Sequence, residues 1–234
     1  MNEQEQAALC ERYRLVCARL EDAARGSGRD PDEVILLAVS KFHDAAAIRV
    51  LAARGQRRFG ENYVQEARTK QADLADLDLE WHAIGHIQTN KAKDVAGRFA
   101  MIHTVDSPRL AEALSRRLPE GAAPQPVLIQ INLGGEPQKA GIAPGEAPAL
   151  AEAVAAMPGL DLRGLMCLPP VTAPGEARPF FAALRRLRDE LAARLGQALP
   201  CLSMGMSGDF AEAVAEGSTL VRIGTDIFGP RTEQ

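Results

Sequence analysis

The 234-residue chain is 46% hydrophobic and 25% charged, the composition of an ordinary soluble globular protein. Its net charge of −4 and pI near 5.7 give no electrostatic footprint for nucleic acid. The most apolar run, Val34 to Val39, is far shorter than the ~20 residues needed to cross a bilayer. The N-terminus mixes Glu, Arg and Gln with its apolar residues and has no signal-peptide core. The four cysteines (Cys10, Cys17, Cys167, Cys201) include no CxxC pair and read as buried thiols in a reducing compartment. A cytoplasmic protein with no membrane contact is expected.

Leu9, Tyr13, Val16, Cys17, Leu20 and Ala24 fall on one helical stripe, which predicts a leading helix over residues 1–26 ended by Gly26 and Gly28. Val34–Val39 is then a continuous apolar run, as in a strand covered on both faces. Further short runs follow at Arg58–Phe59, Trp81–Ile84, Met101–Val105, Val127–Leu133, Leu160–Met166, Pro200–Ser203 and Leu220–Ile223. Helical patterns lie between them: Ile48, Leu51 and Ala52; Val64, Ala67, Leu74 and Leu77; Leu110, Leu114 and Leu118; Leu150, Val154 and Met157. The clearest runs Phe180, Leu184, Leu187, Leu191 and Leu195. Strands alternating with helices imply parallel pairing through crossovers. Eight such units predict an α/β (β/α)₈ barrel over about 34–230, a single domain spanning 1–234. An open doubly wound sheet is the alternative. It calls for a glycine-rich turn after the first strand, where this chain has Ser40-Lys41-Phe42-His43-Asp44.

Barrel enzymes place their sites at the C-terminal ends of the strands. Lys41 ends the first strand, where desolvation favours a neutral amine able to form a Schiff base with an aldehyde. The plainer alternative is a lysine reaching from the rim to solvent. Ser207-Gly208 opens a helical pattern, and Gly224-Thr225 precedes another short turn. Backbone N–H groups at helix starts bind phosphate, although such glycines also serve as simple tight turns. In a closed barrel the last strand lies beside the first, so Arg222 and Gly224 neighbour Lys41. An amine nucleophile beside a phosphate cradle suggests pyridoxal 5′-phosphate, which joins an aldehyde to a phosphate. His82 and His86, with His103 as a third group, have metal-like spacing, but on a strand they stand ~13 Å apart, so no metal is expected. Glu61 reads as a hydrogen-bonded structural carboxylate, with a general base as the alternative, and Lys91 and Lys93 as a solvated helix face. Gly134–Gly141 reads as a lid or a plain surface loop.

AVSK at 38–41, FGENYVQE at 59–66, WHAIGHIQTNK at 81–91, GLMCLPP at 164–170, LSMGMSGDF and EGSTLVRIGTDIFGPR together resemble the pyridoxal phosphate homeostasis proteins. The resemblance runs in order over roughly residues 34–230 and implies the barrel of the alanine racemase N-terminal domain. It implies that Lys41 carries the cofactor as an internal aldimine and that Arg222 sits near the pyridine nitrogen. It also implies that Ser207, Gly224 and Thr225 bind the phosphate, and that Asn62 lies near the cofactor. Phe42-His43-Asp44 departs from the Thr-Lys-Pro often found there in the family; it follows the lysine and bears on loop contacts only.

The resemblance implies a protein that holds pyridoxal 5′-phosphate and takes part in its homeostasis, with apo-enzymes as candidate recipients and a monomer expected. The alternative is a racemase-like enzyme. Racemisation needs acid–base groups on both faces of the carbanion, and alanine racemases draw a tyrosine from a second domain. Here Tyr13 lies in the leading helix, and Tyr63 is the one tyrosine near the mouth. An arginine at the pyridine nitrogen also weakens the ring as an electron sink. No catalytic residue is therefore expected.

Overall fold

The computed structural model describes residues 1–136, 138–173 and 175–230. Helix α1 (Glu3–Gly26) starts on a reciprocal cap: Asn2 Oδ1 accepts the Glu5 N–H, and the Glu5 carboxylate accepts the Asn2 N–H. The strands are β1 (Ile35–Val39), β2 (Arg58–Glu61), β3 (Glu80–Ala83), β4 (Met101–Val105), β5 (Gln125–Ile131), β6 (Leu160–Cys167), β7 (Cys201–Ser203) and β8 (Leu220–Ile223). Every neighbouring pair is parallel, and β8 closes on β1 with Leu37 opposite Arg222 and Ala38 opposite Ile223. The eight-stranded barrel expected from the alternating pattern is the fold, and the open sheet is excluded.

Helices α2 (Ala45–Ala52), α3 (Val64–Asp73), α4 (Pro108–Ser115), α5 (Ala147–Ala155), α6 (Arg178–Leu195), α7 (Phe210–Ala215) and α8 (Thr225–Phe228) follow strands one, two, four, five, six, seven and eight. After β3 a 3₁₀ segment, Thr89–Asp94, takes the helix's place; Ala92 is buried there while Lys91 and Lys93 are exposed, so their solvated face is 3₁₀ rather than α. In α6 the buried stripe is Phe181, Leu184 and Leu191, so Phe181 rather than Phe180 is the anchoring aromatic. β2 runs two residues beyond the expected Phe59, and β5 starts at Gln125 and stops at Ile131, before the expected Leu133.

Two apolar cores result. The larger lies between the barrel and its helices and includes Ala38, Phe59, Ile129, Val221 and Ile223. The smaller fills the barrel, with Leu37, Leu128, Met166, Cys201 and Leu220. Strand alternation thus sends Leu37 inward and Ala38 outward. Helix α1 packs across α7 and α8, where Arg12 donates from Nε to the Ile227 carbonyl (2.8 Å). Each fully buried Leu in these cores contributes about 1.5–3 kcal/mol.

One backbone position is irreplaceable on geometric grounds. The β5–β6 register shifts beside Leu128, whose partner is Gly164 at φ +151°. A Cβ at Gly164 would collide with the Cys201 backbone carbonyl, so neither conformation nor space admits a side chain. Gly164→Ala is expected to lower stability by about 3 kcal/mol or more. Gly145→Ala, with nothing within 4 Å of the added carbon, should change it by less than ~0.5 kcal/mol. Urea unfolding midpoints of the two variants check the contrast.

Candidate functional site

The end of β1 turns sharply. His43 N–H donates to the Ser40 carbonyl (3.1 Å), leaving Lys41 and Phe42 as the two central residues of a turn. Phe42 has φ +67°, the left-handed region that a bulky residue rarely occupies. Three groups hold this turn from behind. Lys70 Nζ, on α3, donates to the Ser40 carbonyl (2.6 Å) and to the carboxylates of Glu61 (2.7 Å) and Glu66 (2.7 Å). Ser40 Oγ donates to Glu61 Oε1 (2.6 Å), and the Phe42 N–H donates to Glu66 Oε1. Lys70 and Glu61 are both buried. Burial pushes the Glu61 carboxyl up despite the opposing Lys70 ammonium, and its Oε2 has no partner among the described residues. Glu61 is thus the structural carboxylate expected from the sequence. Sequence reasoning does not single out Lys70 and Glu66; the one signal for them is their i,i+4 spacing on α3.

The three residues that depart from the family pattern each have a place. Phe42 makes the strained turn and packs on Tyr63 with ring centroids 5.3 Å apart. His43 stacks on Phe228 at 4.6 Å. Asp44 caps α2 by accepting the Ala47 N–H at 2.8 Å.

Across the barrel closure, Arg222 shares the inward parity of Leu220 and Leu37. Its guanidinium is buried, at 4% exposure, and donates to Ser203 Oγ (2.7 Å) and to the Cys167 carbonyl (2.8 Å). It has no carboxylate in ion-pair contact among the described residues. Burial pushes its pKa down, opposed mainly by Cys167 and Asp209. After β7, the Met206–Asp209 turn is closed by Asp209, which accepts the Met206 N–H at 2.6 Å. The N–H groups of Ser207, Gly208 and Thr225 make no hydrogen bond among the described residues. Gly224 packs against the end of β1, where a Cβ would stand 3.2 Å from the Val39 carbonyl oxygen. The structure therefore brings Arg222, Gly224 and Thr225 beside the end of β1, and Ser207 to the same end of the barrel. Asn62 follows β2 directly, half-buried, at that end as well.

Other sequence candidates separate. His86 lies beyond the end of β3, where alternation no longer applies; its side chain is 55% exposed and its Nδ1 is 3.3 Å from Asp106. His82 is buried inside the barrel, with Nδ1 2.9 Å from His103 Nε2, and His103 Nδ1 is 2.9 Å from Ser203 Oγ. Among the described residues no three His, Cys, Asp or Glu side chains cluster to hold a metal. Gly134–Gly141, of which Pro137 lies outside the described residues, is tied back onto β5. Gln130 donates to the Ala140 carbonyl (2.9 Å), Asn132 to those of Glu136 and Lys139, and Lys139 Nζ to that of Pro169 (3.0 Å). Burial holds the thiols of Cys167 and Cys201 up at about 12 and about 11, so both are inert at neutral pH; Cys10 and Cys17 are only half-buried.

Burial lowers the His82 pKa from 6.5 to about 4, with Arg58 adding to the shift, and lowers His103 well below 6.5. The folded state therefore takes up these protons later than the unfolded chain as the pH falls. Stability is full above about 6.5 and is lost between about 6.5 and about 4. At 1.36 kcal/mol per unit, His82 accounts for about 3 kcal/mol of that loss. His82→Gln keeps an acceptor for His103 but does not titrate. Unfolding free energies at pH 7 and pH 4.5 should therefore differ less for the variant than for the wild type.

A profile of the alanine racemase N-terminal domain family matches residues 22–232. The pyridoxal phosphate homeostasis protein of Pseudomonas aeruginosa is 51% identical over 225 residues, covering 96% of each chain. PipY of Synechococcus elongatus, solved with PLP bound, superposes with a TM-score of 0.80 at 42% identity, covering 90% of this chain and 99% of that one. Alanine racemase of Corynebacterium glutamicum, at 21% identity and a TM-score of 0.66 over 91% of this chain and 59% of its own, shares the fold. With 51% identity over 96% of each chain and the family profile matched over residues 22–232, the chain belongs to the pyridoxal phosphate homeostasis proteins of the alanine racemase N-terminal domain family.

Proposed function

We propose that this protein binds pyridoxal 5′-phosphate at the C-terminal mouth of the barrel, holds it covalently through Lys41, and takes part in its homeostasis without dedicated turnover. The observation that carries this reading is Arg222: a buried guanidinium with two neutral acceptors and no carboxylate in ion-pair contact among the described residues. Burying a charge without a counter-charge is costly. An anionic, ring-bearing ligand at the mouth supplies both compensation and an acceptor. Arg222 can only donate, so it faces the ring nitrogen and keeps it unprotonated.

The remaining residues divide the ligand between them. The Ser207 hydroxyl with the Ser207, Gly224 and Thr225 N–H groups would take the phosphate; Thr225 opens α8, whereas Ser207 lies in the turn before α7 rather than opening that helix as the sequence suggests. Asn62 lines the flank. Lys41, on the turn after β1, would be the covalent anchor, and the cofactor when bound would supply the aldehyde that its amine engages. The names of the relatives support the homeostatic role, and the PLP-bound PipY structure supports the ligand. In this reading the protein works as a cytoplasmic monomer, a single domain over 1–234, and PLP-dependent apo-enzymes are its recipients. No metal takes part. No helix among the described residues is long and apolar enough to cross a membrane.

The covalent anchor is tested by borohydride reduction and peptide mapping. The label is expected on Lys41 and absent from Lys41→Ala; an undiminished label on Lys91 or Lys139 sinks the assignment. Pyridoxal lacking its phosphate loses several charge-assisted contacts of about 1.5–3 kcal/mol each, so its affinity should fall by more than tenfold.

A dedicated racemase would need acid–base groups over both faces of the ligand. Tyr63 is 52% exposed and packs on Phe42, and the His86 side chain faces Asp106 at the rim. A panel of amino acids with saturating cofactor, followed by chiral chromatography and keto-acid detection, should give only trace turnover. Rates near ~10 s⁻¹ that vanish in Lys41→Ala overturn the holding role.

A further inference from the structure

Inside the barrel, four polar side chains run in contact from the mouth toward the floor: Arg222, Ser203, His103 and His82, at 2.7, 2.9 and 2.9 Å. Ser203 and His103 are fully buried, and His82 is 4% exposed. The arginine sets the direction of every proton. A guanidinium only donates, so Ser203 Oγ accepts from it. Among the described contacts the one acceptor left for the Ser203 hydroxyl proton is His103 Nδ1. His103 then carries its proton on Nε2 and donates to His82 Nδ1, which places the His82 proton on Nε2. That last atom has no partner among the described residues. It ends the chain beside a floor cavity of about 520 Å³ lined by Arg29, Asp32, Glu33, Arg58, Glu80 and Arg163 among others.

We propose that Ser203, His103 and His82 form a one-directional hydrogen-bond chain that fixes the Arg222 guanidinium against the ring nitrogen of the cofactor, making all three positioning residues for cofactor recognition. The proposal rests on the placement of that ring nitrogen at Arg222 given above. The fixed direction matters because each link accepts on the side facing the arginine. A flipped His103 would donate to Ser203 Oγ alongside the guanidinium and leave the hydroxyl proton with no acceptor among the described contacts. Both imidazoles are held neutral by burial, as the chain requires. Neighbouring hydrogen bonds of one sense polarise one another, so loss of Ser203 Oγ loosens the guanidinium even though the Cys167 carbonyl still holds one of its nitrogens.

The test compares two ligands, pyridoxal 5′-phosphate and its carbocyclic analogue with C–H in place of the ring nitrogen, on wild type, Ser203→Ala and Ser203→Thr. Wild type should prefer the natural cofactor by on the order of tenfold or more. Ser203→Ala should bring the ratio toward one while keeping its affinity for the analogue, and Ser203→Thr, with its hydroxyl, should restore the preference. A merely structural role for Ser203 would weaken both ligands alike. An unchanged ratio in Ser203→Ala overturns the positioning role and leaves Arg222 at the nitrogen. Equal wild-type affinities overturn the placement of Arg222 itself. Nitrogen-15 NMR of the histidines in wild type tests the chain without any variant: His82 and His103 should both be neutral and protonated on Nε2. A proton on His103 Nδ1 overturns it.

Discussion

The closure of β8 on β1 is the constraint on which the site depends. Until Leu37 meets Arg222 in register, the lysine at the end of the first strand and the glycine loop at the end of the last have no common location. A parallel barrel forces that meeting, because its edge strands have no other way to pair their backbone groups. Once it closes, inward parity delivers Arg222 to the interior, and Gly224 passes close enough to Val39 that a side chain there would crowd its carbonyl. The chemistry is therefore assembled by the pairing that closes the barrel.

Two buried cations at this end of the barrel illustrate opposite solutions to one problem. Lys70 is buried with two carboxylates and a carbonyl around it, so its charge is compensated within the chain. It lies outside the barrel wall, behind the turn that carries Lys41, and its role is to fix backbone. Arg222 lies inside the wall and is held by a hydroxyl and a carbonyl, neither of them charged. Low dielectric magnifies both arrangements. It makes the Lys70 cluster a rigid buttress and, in the reading proposed above, makes the Arg222 environment selective for a ligand that brings negative charge.

The barrel and the place of Lys41 were legible because they depend on local signals: short apolar runs, intervening helical periods and a polar residue at the end of a run. Phasing was less legible. Phe180 and Phe181 both suit a helix face, and only packing against the barrel selects Phe181. Lys70 falls between Ala67 and Leu74 on the stripe read for α3, so periodicity already put it on the buried face. Periodicity alone does not declare a role for it, because a lysine is seldom buried unless paired, and its pairing depends on Glu61, which arrives from another element. His82 and His103 present the same difficulty. Each is an ordinary inward position on its strand, and their 2.9 Å contact exists only because β3 and β4 are neighbours in a closed sheet.

Strain and support are balanced around Lys41. A residue such as Phe42 in the left-handed region costs of order 1–3 kcal/mol and persists only when its surroundings over-determine it. Here they do: Glu66 accepts its N–H, Lys70 holds the carbonyl two residues earlier, and Asp44 starts α2 directly after the turn. The loop over the opposite wall is tied down as well, through Gln130, Asn132 and Lys139. Ordering these groups before a ligand arrives removes part of the entropic cost of binding. Under the proposed function, such pre-organisation would favour retention of a ligand held at one end by Lys41 on its braced turn and at the other by Arg222. It does not by itself provide a proton donor or acceptor over the faces of the ring. In the reading proposed above, rigidity invested at Lys41 and Arg222 serves to hold the ligand.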